Sequence, residues 1–186
     1  MRQPWTLAAA LFVVPVVSAA QSRPITVAEV QATLAPLVET YAPSGMEGAM
    51  REMVKRGLPA WAHPQVDSAG NVWLTVGRGG PRTVIIAHMD EIGFSVVAID
   101  DDGMLQIRPL GGFLPFLFEA EPALVHTGAV DVPGVFTPAD SSAPRGRTSA
   151  YRVDLGVATR AAAESLGVRV GSTVTMPKRY ARLAGT

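Results

Sequence analysis

The stretch Thr83-Val-Ile-Ile-Ala-His-Met-Asp-Glu-Ile-Gly93 carries the decisive reading of this chain. It opens with a continuous run of β-branched and apolar residues, Thr83 to Ala87. It closes on a polar cluster, His88, Asp90 and Glu91. A short unbroken apolar run suits a strand covered on both faces, the kind found inside α/β layers. Ligand sites of open α/β sheets lie outside the carboxyl ends of such strands, which is where His88 and Asp90 fall. In extended backbone, residues i and i+2 share a face, so His88 and Asp90 point the same way and Glu91 points elsewhere. That spacing suits a metal-binding imidazole whose second nitrogen donates to a carboxylate. A His-x-Asp at an ordinary polar strand end has the same spelling, so these residues alone leave both readings open.

Upstream, the sequence predicts two helices. Thr26-Val-Ala-Glu29 has the form of a capping box, and Val27, Val30, Leu34, Leu37, Val38 and Tyr41 follow at helical spacing, with Pro36 as a kink or restart. Ser44-Gly-Met-Glu47 has the form of a second capping box, ahead of Met50, Met53 and Val54, with Gly57 and Pro59 as the stop. Val72 to Val76 then reads as a strand. Downstream, Phe94–Ile99 and Met104–Arg108 read as strands about the turn Asp100-Asp-Asp-Gly103. Helices followed by strands, one of them buried, point to a layered α/β core. Beyond Ile99, short β-like pieces (Val130–Phe136, Val168–Thr175) alternate with Gly and Pro, the texture of a small β-barrel or sandwich. Ala158–Leu166 reads as a short helix, and Ala139–Ala150 as a mobile loop.

Composition narrows the chemistry. The 186 residues carry 16 Lys+Arg against 16 Asp+Glu, so no basic surface for nucleic acid is advertised. There is no cysteine, which excludes disulfides, thiolate-bound zinc, iron–sulfur clusters and thiol nucleophiles. Any metal must be held by His, Asp and Glu. Arg2, the apolar run Leu7–Val17 and the small residues Ser18-Ala19-Ala20 form a secretory signal peptide over residues 1–20, which implies a secreted or periplasmic product with no membrane segment after cleavage.

Several landmarks in order add a resemblance. Ser44-Gly45 with Glu47, Asp67 with Gly70-Asn71, His88-Met-Asp-Glu-Ile-Gly93, Gly103, Leu110-Gly-Gly112, Val153-Asp-Leu-Gly156 and Glu164-Ser-Leu-Gly-Val-Arg-Val-Gly171 resemble the tetrahedral aminopeptidases, also called the glutamyl aminopeptidase or cellulase-M family of metallopeptidases. The resemblance runs from about Tyr41 to the C-terminus. It implies the first part of a zinc-peptidase-like layered α/β core with an inserted small β-barrel domain. The expected layout is 21–98 for the core part, 99–182 for an inserted β-rich dimerisation domain, and 183–186 for the return to the core. It further implies two divalent metal ions, zinc or cobalt, whose bridging water attacks the amino-terminal peptide bond of a peptide substrate. By motif match His88 would be a terminal metal ligand and Asp90 the catalytic-centre carboxylate that orients it. Homo-oligomers through the β-rich domain follow from the same resemblance.

The family's remaining ligands come after the inserted domain, and this chain reaches only roughly the first half of such an enzyme. A two-metal centre needs on the order of five or six protein ligand groups. The other histidines, His63 and His126, have no carboxylate at ligand spacing and read as structural. The expectation is therefore that the 186-residue chain alone is inactive and exposes apolar surface. Competing readings are a non-enzymatic oligomerisation module and, less favoured, a glycoside hydrolase using Glu119 and Glu121, against which Pro122 and the lack of nearby Trp or Tyr platforms argue. Asp100–Gly103 lacks calcium-loop spacing, and Ser141 and Ser142 lack a nucleophile elbow.

Overall fold

The computed structural model describes residues 23–112, 115–140, 142 and 150–184. The signal-peptide reading and most of the Ala139–Ala150 loop lie outside the described residues. Helix α1 (Val27–Glu39) begins at Thr26, whose hydroxyl accepts from the Glu29 N–H while the Glu29 carboxylate accepts from the Thr26 N–H, so the expected capping box is complete. The helix runs on through Pro36, whose carbonyl accepts both the N–H (3.1 Å) and the hydroxyl (2.7 Å) of Thr40. Helix α2 (Gly48–Gly57) starts differently from expectation. Its N-cap is Glu47, with no side-chain cap, and the hydroxyl of Ser44 is engaged elsewhere. Strands β1 (Gln65–Val66) and β2 (Val72–Trp73) form a small antiparallel hairpin around the Asp67–Gly70 turn.

The run Thr83–Ala87 departs from its reading. It belongs to no strand, and Ile85 and Ile86 are 94% and 86% exposed. A β-branched run becomes a buried strand only when neighbours satisfy its backbone and cover its faces. Among the described residues none pairs with it. Neither α1 nor α2 has a fully buried residue; Met50, Met53 and Val54 of the α2 stripe are half-buried, and Val27, Val30, Leu34 and Val38 of α1 are exposed.

The rest of the chain forms a closed barrel. Its staves are β3 (Gly93–Ile99), β4 (Leu105–Leu110), β5 (Pro122–His126), β6 (Asp131–Pro138), β7 (Tyr151–Asp154) and β8 (Thr173–Thr175). All neighbours are antiparallel, in the order β3-β4-β7-β6-β5-β8, with β8 closing on β3. The barrel begins at Gly93, earlier than the boundary expected at residue 99, because Phe94 and Val96 face the barrel core rather than an α/β layer. The Asp100–Gly103 turn closes the β3–β4 hairpin, with Gly103 at φ +86°. There a Cβ would meet Val157 at 2.9 Å, so only glycine fits. Helix α3 (Arg160–Ser165), capped by Thr159, packs Ala163 against the barrel.

Phe94, Phe118 and Phe136 meet in the core with ring centroids 5.0, 5.1 and 5.4 Å apart. Leu105, Val125, Val153, Val168 and Val174 fill the space around them at 0% exposure. Burial of these side chains, each worth about 1.5–3 kcal/mol, is the dominant stabilising term of the molecule. Among the described residues, no helix is long and apolar enough to cross a membrane.

Candidate active site

His88 and Asp90 stand between the exposed run and the first barrel stave. His88 Nδ1 lies 2.9 Å from Asp90 Oδ1 and 3.0 Å from the Asp90 main-chain oxygen. Carboxylate and carbonyl oxygens only accept, so the neutral ring carries its proton on Nδ1 and keeps the lone pair on Nε2. Nε2 has no hydrogen-bond partner among the described residues, and the His88 side chain is 85% exposed. Asp90 Oδ2 accepts from Ser44 Oγ at 2.5 Å. The Ser44 hydrogen bond, with that of His88 behind it, holds the Asp90 carboxyl below the usual aspartate range, so it is ionised at neutral pH.

Glu91 points away from this pair, as the alternation of an extended segment requires. Its Oε1 accepts from the Ala42 N–H at 2.6 Å, and its Oε2 pairs with Lys178 Nζ at 2.7 Å. Its own N–H donates to the Ala42 carbonyl at 2.8 Å, and Pro43 bridges to it in parallel. Glu91 is therefore a tie between the end of α1, the site and the segment after β8. Lys178 completes the tie by donating to the Thr40 carbonyl at 2.9 Å and standing 5.0 Å over the Tyr41 ring.

A groove of about 390 Å³ runs past the pair, lined among others by Glu47, Asn71, Trp73, Ile86, His88 and Asp90.

The other histidines stand apart. His63 is an exposed loop residue. His126 does acquire a carboxylate, across the β5–β6 hairpin, where its Nδ1 lies 2.8 Å from Asp131 Oδ1. Its Nε2 lies 2.9 Å from Thr175 Oγ1, and the Tyr41 ring covers it at 4.7 Å. With both nitrogens engaged it has none to offer a metal. The three turn aspartates diverge: Asp100 to Gln106, Asp101 to Arg160, Asp102 to the Met104 N–H.

As a metal holder, His88 has the right chemistry: an imidazole with its Nδ1 proton committed and Nε2 free. Among the described residues, however, no three His, Asp or Glu side chains gather in one place. The described residues offer one imidazole of that kind and do not bring a complete set of ligands together.

A family profile described as M42 glutamyl aminopeptidase matches residues 70–186, the segment that holds His88, Asp90 and the whole barrel. The chain belongs to the M42 glutamyl aminopeptidase family. A glutamyl aminopeptidase of Lactococcus lactis subsp. cremoris (strain MG1363) is 36% identical over 89 residues, covering 46% of this chain and 25% of the relative. A lysyl aminopeptidase of Pyrococcus furiosus is 31% identical over 128 residues, covering 64% of this chain and 37% of the relative. The structure of a Pyrococcus horikoshii TET1 peptidase, which can assemble into a tetrahedron or a large octahedral shell, superposes with a TM-score of 0.68 at 28% identity. That match covers 83% of this chain and 48% of the peptidase. This M42 chain thus has the α/β fold of the TET peptidases, with the six-stranded barrel included. It spans less than half the length of the curated relatives it matches.

The M42 resemblance was legible from the landmark residues. The part of Ser44 was not, because its Ser-x-x-Glu spacing also spells a helix cap.

Proposed function

We propose that this chain contributes the His88–Asp90 part of the centre of a metal-dependent aminopeptidase. The observation that carries this reading is the Nδ1 contact of His88 to Asp90 at 2.9 Å, which leaves Nε2 free beside a groove. His88 would hold one divalent ion, zinc or cobalt, through Nε2. Asp90 fixes the imidazole tautomer and strengthens it as a donor. Such ions, when bound, would supply Lewis-acid activation of a water for hydrolysis of an amino-terminal peptide bond. The groove beside His88 receives the substrate chain end, and Trp73 and Ile86 give it apolar walls.

We read the described residues as inactive by themselves, because a two-metal centre needs on the order of five or six protein ligand groups. We read the barrel as the module through which copies associate. We read residues 1–20 as an export signal that sends the protein to the periplasm or the outside medium.

The test is a calorimetric zinc titration of the full gene product, beside the same titration of its His88→Ala variant. The reading expects zinc binding that His88→Ala weakens at least about tenfold, the scale of losing a ligand group or its direct support. Equal affinity in the two proteins would overturn it. A non-enzymatic barrel module predicts that equality, with an oligomer that survives chelator.

A further inference from the structure

We infer that Ser44 is a positioning residue for the metal-binding imidazole, acting on His88 through Asp90. This rests on the metal-site reading above and assigns a task to a residue outside the His-x-Asp pair.

The geometry is a relay of two contacts on one carboxylate. Asp90 Oδ1 faces His88 Nδ1 at 2.9 Å, and Asp90 Oδ2 accepts from Ser44 Oγ at 2.5 Å. The terminal torsion of an aspartate is broad, so one contact leaves the carboxylate plane free to swing. Two contacts on its two oxygens define that plane. That plane sets how the Nδ1 proton is shared between Asp90 Oδ1 at 2.9 Å and the Asp90 main-chain oxygen at 3.0 Å, and so where Nε2 points.

The position of Ser44 is itself fixed by neighbours of Asp90. Ala42 and Glu91 are joined by two hydrogen bonds, 2.6 and 2.8 Å, which hold the Ala42–Ser44 backbone alongside Glu91. Pro43 sits against Gly93, where a Cβ would come within 2.8 Å of the Pro43 Cβ. The separation of Ser44 from Asp90 is therefore set by the main chain, and only the short serine side chain spans it.

The competing use of Ser44 is visible in the structure and is not taken. A Ser-x-x-Glu sequence ahead of a helix normally caps it. Here the N-cap of α2 is Glu47, with no side-chain cap, and the Glu47 carboxylate accepts from the Gly45 N–H at 2.5 Å instead. The serine hydroxyl is committed to Asp90 at the expense of the local cap.

The test uses the metal-free full gene product and four variants: Ser44→Ala, Ser44→Thr, Ser44→Val and His88→Ala. Nitrogen-15 shifts of the His88 ring report its tautomer, and calorimetry with zinc alone reports affinity. Ser44→Ala is expected to lower the Nδ1–H tautomer fraction. It should also weaken zinc binding about 3–10-fold, less than the roughly 10–100-fold that follows loss of a direct outer partner. Ser44→Thr, which keeps the hydroxyl, should stay near the parent in both. Ser44→Val has the shape of threonine without the hydroxyl. Should Ser44→Ala fail to fold, the Thr–Val difference reads the hydrogen bond instead. Ser44→Ala or Ser44→Val with the parental tautomer and affinity, in a background where His88→Ala does weaken zinc, overturns the role of Ser44 alone. Zinc affinity unaltered by His88→Ala overturns the metal reading, and the role of Ser44 with it.

Discussion

Lys178 and Glu91 form an ion pair, Nζ to Oε2 at 2.7 Å, that joins the segment after the last barrel stave to the residue beside Asp90. Both side chains are about three-quarters shielded from solvent, at 25% and 23% exposure. Each has a second main-chain partner: Lys178 the Thr40 carbonyl, Glu91 the Ala42 N–H. Lys178→Met removes one charge and leaves the Glu91 carboxylate with only its Ala42 contact. The expected loss is about 1.5–3 kcal/mol, the range for hydrogen bonds to charged groups. Urea denaturation of the two proteins measures it.

Gly93 is where β3 passes under Pro43. Gly93→Ala would place a Cβ 2.8 Å from the Cβ of the rigid Pro43 ring and 3.2 Å from the Val174 main-chain oxygen. Overpacking of this kind costs about 1–3 kcal/mol. The substitution should also push Pro43 and Ser44 away from Asp90. A melting curve reads the stability, and the His88 ring shifts read the displacement.

Phe136 packs at a tilt against Phe94 and edge-on against Phe118 at the centre of the barrel and is completely buried. Phe136→Ala should cost about 3–5 kcal/mol, a transfer term plus the cavity left between two rings and the valines around them. By contrast, substituting polar residues at Ile85 and Ile86, which are exposed, should leave barrel stability within about 0.5 kcal/mol. Guanidinium unfolding followed by fluorescence checks the pair of claims.

Glu29 gives α1 a dependence on acid. The Arg23 guanidinium first, then the Thr26 N–H and hydroxyl, lower its carboxyl from 4.5 to about 2. A depressed carboxyl contributes stability that is complete above its unfolded value, here 4.5, and is lost as pH falls through about 2. The capping box should therefore persist at pH 4 and open near pH 2. Carboxyl carbon-13 shifts of Glu29 across this range test it, and a midpoint near 4.5 would refute the Arg23–Glu29 pairing.

How far the site could be read ahead of the fold depended on how local each interaction is. The His88–Asp90 contact spans only two residues, a spacing that puts both side chains on one face of extended backbone. The Asp131 partner of His126 comes across a hairpin whose second strand begins at that very residue, so spacing along the chain concealed it. The hydroxyl of Ser44 had two possible uses, a nearby helix start and a distant carboxylate, and no local rule ranks them.

By itself, the sequence of this M42 chain determined what short-range physics controls. Thr26 and Glu29 cap α1 because donor and acceptor are three residues apart. Asp100–Gly103 turns because glycine alone takes φ +86° beneath Val157. Alternating apolar residues made staves of Phe94–Ile99 and Leu105–Leu110. Only the tertiary structure decided that Ser44 leaves α2 for Asp90, that Glu91 clasps Ala42 and Lys178, and that Thr83–Ala87 lies open. These outcomes rest on groups brought together from far apart in the chain, or on the lack of a covering neighbour among the described residues. Neither is encoded in the spacing of adjacent residues, because burial and long-range hydrogen bonds are set by what the completed fold places alongside.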